Sequence, residues 1–119
     1  MVDFEDVRRI AESLPETTAG VNESGQLTVE VAGKGIAWSW MERVIPKKPR
    51  VVRPDVLAVR VADGLEKESL IAADGRKFFT EPHYNGFPAV LVRLGEVDVE
   101  EMRELLTDAW QTKAPKRKR

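Results

Sequence analysis

The spacing of hydrophobic positions divides the chain into helical and strand segments. Near both ends, and briefly in the middle, apolar residues recur at the period of an amphipathic helix. Each of these three segments begins with an aspartate, at Asp3, Asp63 or Asp98, and has a second carboxylate three residues later. This spacing is typical of a helix N-cap. We expect Pro15 to stop the first helix and Gly75 to cap the end of the second.

Between the helices the hydrophobic period changes to two, which predicts strands. The five predicted strands are 27–31, 36–41, 56–61, 77–80 and 89–94. The glycines on either side of Lys34 predict a hairpin turn at residues 33–35. The order α-β(3)-α-β(2)-α then predicts a single α+β domain with helices packed on a mostly antiparallel sheet.

Composition narrows the class of protein. The chain has 119 residues, of which 42% are hydrophobic and 33% charged, and it has no cysteine. This balance of hydrophobic and charged residues is typical of a globular domain. The absence of cysteine excludes disulfides, thiolate catalysis and cysteine-based zinc sites. No apolar run is long enough to cross a membrane, and the acidic N-terminus lacks the features of a signal peptide. We therefore expect a cytoplasmic protein with one domain over residues 1–112 and a basic tail over 113–119.

Charge changes this picture, because the formal net charge of −1 is unevenly distributed. Residues 43–60 hold six bases and one acid, and residues 113–119 hold five bases and no acid. The three prolines between residues 43 and 54 predict an extended loop, since proline cannot donate to a sheet ladder. Such segments can contact phosphates, or they can be a solvated connection and a solubilising terminus. The candidate nucleic-acid contacts are Lys34, Arg43, Lys47, Lys48, Arg50, Arg53, Lys116 and Arg117.

Aromatic and titratable residues supply the remaining candidates. His83 and Tyr84 precede an Asn-Gly turn signal and could contact a small ligand, or the turn could be structural. No nucleophile has a partner at a catalytic spacing, and one histidine with Glu81 makes at most a partial metal site. The pair Trp38 and Trp40 could form a ligand platform, although packing against the helices is the simpler interpretation. We therefore predict no catalytic residue, metal or cofactor.

Four stretches carry a family resemblance, of which the most specific runs from Phe78 to Leu94 and reads FFTEPHYNGFPAVLVRL. The others are residues 7–16, residues 35–38, and the last helix with Ala114 to Arg117. On these residues the chain resembles the MmcQ/YjbR family of small bacterial proteins. The resemblance implies the α-β(3)-α-β(2)-α order and a fold similar to that of type III secretion chaperones. It also implies DNA binding through hairpin "wings", and it brings no catalytic or binding residues with it.

Three functions remain open from the sequence. The first is a non-enzymatic domain that binds DNA through its basic loop and tail. The second is a protein-interaction or scaffold module, either monomeric or dimeric, with an apolar patch around Trp38, Trp40 and Val44-Ile45. The third is a small-ligand binder around His83 and Tyr84.

Overall fold

Three α-helices are present in the computed structural model, which describes residues 2–114. They are α1 (Phe4–Glu12), α2 (Gly64–Ala73) and α3 (Val99–Lys113). All three begin as predicted, because the side chains of Asp3, Asp63 and Asp98 each accept a hydrogen bond from the backbone N–H three residues later. These bonds satisfy donors that the first helical turn leaves free. The end of α2 differs from the prediction, since Asp74 rather than Gly75 is the C-cap.

The strands between the helices form one antiparallel sheet. Its strands are β1 (Thr17–Val21), β2 (Leu27–Val31), β3 (Lys34–Glu42), β4 (Val51–Arg60), β5 (Phe78–Phe79) and β6 (Ala89–Arg93), in the spatial order β1-β2-β3-β4-β6-β5. Short 3₁₀ turns cover Pro82–Tyr84 and Leu94–Glu96. The predicted α+β class is confirmed, but the described sheet has six strands rather than five. The additional strand is β1, an edge strand whose residues are exposed or only half-buried and therefore show no clear alternation.

Two predicted boundaries in this sheet were wrong. The β2–β3 turn lies at Ala32 and Gly33, whose φ angles of 49° and 81° fit a tight hairpin turn, so that Lys34 already belongs to β3. The predicted loop ends early, because β4 begins at Val51 and includes Pro54. Proline is tolerated there because the β3–β4 register shifts beside it and pairing of β4 with β6 starts only at Val56.

The main core lies between the helices and one face of the sheet. Helix residues such as Val7 and Leu106 are fully buried there, together with Val29 and Val59 from the strands. Ile36 also belongs to this core, next to Ala37, because the β2–β3 register shifts at this point. A bulge of this kind changes the face to which a side chain points.

The opposite face of the sheet, which we call the outer face, carries a second and smaller cluster. Val56, Ala58 and Leu91 are buried there, and Trp38 and Trp40 pack on them. The prediction that these tryptophans pack against the helices was therefore wrong. Among residues 2–114, no helix is long and apolar enough to span a lipid bilayer.

Candidate functional site

The hairpin between β3 and β4 extends past the rest of the sheet. The last pairing of β3 with β2 is at Trp38, and the first pairing of β4 with β6 is at Val56. Beyond these points, β3 and β4 pair with each other at Met41–Val52 and Glu42–Val51. From Met41 to the tip, five residues of extended chain reach at most roughly 16 Å. We call residues 41–52 the wing.

Four of the predicted cationic residues lie together on the wing. Arg43, Lys47 and Lys48 are exposed, and Arg50 is half-buried. Arg43 Nη1 donates to the carbonyl of Lys48 over 2.8 Å, and Arg50 Nη1 donates to the carbonyl of Met41 over 3.1 Å. Within the described part of the chain, none of the four forms an ion pair with a carboxylate. Their positive charge is therefore available to an anionic partner.

Arg53 differs from these four cationic residues. Its Nη1 lies 2.6 Å from Glu42 Oε1, and its Nε lies 3.4 Å from Asp55 Oδ1. The hydrogen bond and charge of Asp55, and then the charge of Glu42, raise the pKa of Arg53 above its usual value. Two carboxylates thus offset its charge, which makes it a weaker candidate for a phosphate contact than the cations of the wing.

The remaining predicted contacts are not part of this cluster. Lys34 is the first residue of β3, and Glu42, the last residue of the same strand, belongs to the wing. The extended strand therefore separates Lys34 from Glu42 by about 26 Å. Lys116 and Arg117 lie outside the described residues.

The tip of the wing also exposes apolar side chains. Val44, Ile45 and Val51 are 60%, 58% and 46% exposed. With Lys48 and Pro49 they line an open groove of about 400 Å³. Of the apolar patch predicted from the sequence, only Val44 and Ile45 lie here, since Trp38 and Trp40 are half-buried on the outer face.

His83 and Tyr84 lie in the 3₁₀ turn that follows β5. The Tyr84 hydroxyl accepts a hydrogen bond from Trp38 Nε1 over 2.9 Å, and its ring lies 6.1 Å from that of Phe87. His83 is exposed, and its Nδ1 lies 3.4 Å from Arg50 Nη2. Tyr84 thus attaches this turn to the outer face, while His83 lies beside the base of the wing.

The outer face is covered by aromatic rings and arginines. The Trp38 and Phe87 rings meet edge to face at 6.0 Å, and the Arg60 guanidinium lies within 6 Å of both ring centroids. Arg93 lies 4.0 Å from the centroid of Phe79. These contacts pair the π faces with cations of the same chain. They do not leave a row of free rings on which bases could stack.

Lys67 is a buried polar residue that the sequence did not reveal. It is only 6% exposed, at a cleft of about 350 Å³ between α2 and residues 80–88. Its ammonium donates to the carbonyls of Tyr84 and Phe87, and burial lowers its pKa. On the same helix Leu65 is 74% exposed, so hydrophobic periodicity could not have placed Lys67 inside. These two hydrogen bonds attach residues 80–88, which cover part of the outer face, to α2.

Comparison with known proteins shows the family. The model of the YjbR family matches residues 12–112. The chain belongs to the YjbR family. It is 38% identical over 125 residues to the uncharacterized protein Rv2570 of Mycobacterium tuberculosis and, equally, to the uncharacterized protein Mb2600 of Mycobacterium bovis. Each alignment covers 98% of this chain and 92% of the relative.

A solved structure supports the fold of this YjbR-family chain. It is similar to the crystal structure of Deinococcus radiodurans protein DR2400, which contains a DUF419 domain, with a TM-score of 0.67. The similarity covers 92% of this chain and 77% of the other, at 23% identity. At this identity the likeness describes the fold, so function has to be argued from the residues of the wing.

Proposed function

We propose that this chain is a non-enzymatic binding domain that contacts the phosphates of duplex DNA through its wing. The observation that carries the proposal is the group of Arg43, Lys47, Lys48 and Arg50 on a projecting two-stranded ribbon, without a carboxylate partner among residues 2–114. A ribbon of two strands is narrow enough to lie along a groove of DNA, with its cations near the phosphates.

The size of the basic group predicts how binding should respond to salt. Each phosphate contact contributes about −0.9 to the slope of log K against log salt. If all four cations contact phosphates, the slope is about −3.6, and a fourfold rise in salt weakens binding about 150-fold. These contacts position the protein without reading sequence, so duplexes of different sequence should compete equally for the cations.

Fluorescence anisotropy with a labelled duplex tests the proposal at several salt concentrations. The double variant Lys47→Ala/Lys48→Ala should bind more weakly, with a slope smaller in magnitude by about 2. Its control is Arg9→Ala/Arg103→Ala, which removes the same charge from the helices on the other face of the sheet. Absence of binding by the unaltered protein at low salt and micromolar concentration would overturn the proposal. An equal loss in both double variants would assign binding to net charge rather than to the wing.

A second candidate function rests on the exposed apolar groove at Val44, Ile45 and Val51. Contiguous exposed apolar surface is typical of protein interaction sites. In this alternative the chain is a scaffold module or a dimer that associates through the wing. Light scattering over a range of protein concentrations distinguishes the two functions. A constant monomer mass, together with salt-dependent DNA binding, would exclude self-association through the wing.

A further inference from the structure

The apolar tip of the wing is not explained by phosphate contacts. Ile45 is 58% exposed and is followed by an exposed proline, Pro46, at the turn of the hairpin. Phosphate contacts require cations and hydrogen-bond donors, whereas this tip places two bulky apolar residues at the most distant point of the ribbon. A tip of this composition is complementary to a surface that is apolar and is bordered by negative charge.

The tip is held in one shape by its own hydrogen bonds. The Lys48 backbone N–H donates to the carbonyl of Ile45 over 3.1 Å, which closes the turn. Arg43 Nη1 then donates to the carbonyl of Lys48 over 2.8 Å, across the hairpin. Lys47, between them, has a φ angle of 67°. Ile45 and Pro46 therefore lie on a closed turn, with Arg43 two residues before Ile45 and Lys47 directly after Pro46.

We propose that Ile45 and Pro46 form an apolar wedge that enters the minor groove of duplex DNA and partly unstacks one base step. This inference rests on the proposed DNA-binding function and names what the tip does in it. The exposed faces of unstacked bases are apolar, and phosphates border the groove on both sides, which matches the composition of the tip. Proteins that bind the minor groove insert apolar side chains in this way and bend the duplex.

The wedge predicts a preference that phosphate contacts alone do not give. Pyrimidine–purine steps, of which TA is the most easily unstacked, resist kinking least. The wing should therefore bind more tightly to a duplex with a central TA step than to an A-tract of the same length. The difference should persist at salt concentrations that weaken the phosphate contacts, because unstacking is a property of the DNA.

The experiment measures binding and bending on the same duplex of about 25 base pairs, which carries a fluorescent donor and acceptor at its ends. Anisotropy reports binding, and energy transfer reports the bend. The test variant is Ile45→Ser, which keeps every cation. The control is Val21→Ser, which removes a valine 64% exposed on β1, outside the wing. We expect the unaltered protein and Val21→Ser to bind and bend the duplex. Ile45→Ser should bind within about threefold at low salt, where phosphate contacts dominate affinity, and lose the bend.

Each other outcome is decisive. Binding by the unaltered protein without bending overturns the wedge and leaves the phosphate-binding function in place. Bending by Ile45→Ser equal to that of the unaltered protein also overturns the wedge. Absence of DNA binding overturns both proposals. A parallel arm uses phosphatidylcholine vesicles that contain phosphatidylserine. If the protein binds these vesicles through Ile45 and does not bend DNA, the apolar tip faces a lipid surface and the wedge is wrong.

Discussion

Replacing Lys67 by methionine should destabilise the fold, although methionine is the more apolar side chain at a buried site. Lys67 is 6% exposed, and its ammonium donates to the carbonyls of Tyr84 and Phe87. Methionine fills a similar volume but donates no hydrogen bond. The substitution therefore keeps the packing and removes the two bonds that attach α2 to residues 80–88.

The magnitude follows from the two carbonyl groups. Each carbonyl keeps a backbone donor, because the Phe87 N–H donates to the Tyr84 carbonyl and the Ala89 N–H donates to the Phe87 carbonyl. The substitution therefore removes two hydrogen bonds from a charged donor, each worth about 1.5–3 kcal/mol, which is a gross loss of about 3–6 kcal/mol. Removing the buried ammonium also removes its desolvation, which offsets part of this loss. We therefore expect a net loss below this range, about 2 kcal/mol. For 119 residues, an unfolding entropy of about 2.1 cal/mol/K per residue converts this loss into a Tm lower by about 8 °C.

The effect should grow with pH. Burial lowers the pKa of Lys67 in the folded state below its usual value of 10.5. Between the folded and unfolded pKa values the unfolded chain binds more protons, so the stability of the unaltered protein gains with rising pH in this window. Below the folded pKa the penalty for the buried charge is fully present. The neutral amine still has two N–H donors for the two carbonyls. The variant lacks this group, so the stability difference between the two proteins should widen towards about pH 10.5.

Urea unfolding at several pH values measures these differences. The control is Lys34→Met, the same substitution at an exposed residue that begins β3, which should change stability by less than about 0.5 kcal/mol. If Lys67→Met unfolds within about 0.5 kcal/mol of the unaltered protein, the two carbonyls do not depend on Lys67 and the reasoning is refuted. A difference that narrows as the pH rises would contradict the lowered pKa.

Two further predictions concern side chains that bind backbone groups. Ser39 is fully buried, and its Oγ accepts a hydrogen bond from the Leu27 N–H over 2.9 Å. Ser39→Ala should therefore lower the free energy of unfolding by about 1–3 kcal/mol in a urea titration. The control Ser69→Ala, on the exposed side of α2, should have little effect. The hydrogen bond from the Asp6 N–H lowers the pKa of the Asp3 carboxyl in the folded protein. The charged Asp3 therefore stabilises the fold at pH values above its pKa in the unfolded chain, and this stabilisation is lost as the pH falls through its pKa in the folded protein. Asp3→Asn keeps an acceptor without the charge, and its stability should therefore fall less than that of the unaltered protein between about pH 5 and about pH 2; parallel curves would contradict the assignment.

The sequence predicted the local features of this fold well. The caps at Asp3, Asp63 and Asp98 depend on residues within one helical turn, so their spacing was sufficient to place all three helix starts. The edge strand β1 was missed because its stability comes from pairing with β2 rather than from its own residues. A strand of half-buried and exposed residues has no hydrophobic period of its own.

The faces of the sheet could not be predicted in the same way. Alternation correctly placed Trp38 and Trp40 on one face of β3, but it does not say whether helices cover that face. Strict alternation along residues 36–40 would put Ile36 on the same face as these tryptophans, whereas the bulge between β2 and β3 turns Ile36 into the main core. A single extra residue inverts the alternation. Gly35, which precedes the bulged Ile36 in β3, was interpreted as part of the hairpin turn rather than as the mark of a bulge.

The same contacts explain why function should be sought on the wing. Among residues 2–114 no α-helix covers the outer face, and residues 82–88 cover part of it. Most backbone hydrogen bonds of this segment are local, such as Asn85 N–H to the Pro82 carbonyl and Phe87 N–H to the Tyr84 carbonyl, so side chains supply much of its attachment to the domain. Trp38 Nε1 binds the Tyr84 hydroxyl and Lys67 binds two carbonyls of the segment. Trp38 and Tyr84, two of the residues that suggest a ligand site in the sequence, thus have structural partners in each other. Arg43 and Arg50 donate to carbonyls within the wing itself. The exposed side chains of Lys47, Lys48 and the apolar tip have no comparable role in holding together the fold of residues 2–114, and this contrast is the physical reason to propose the interaction surface there.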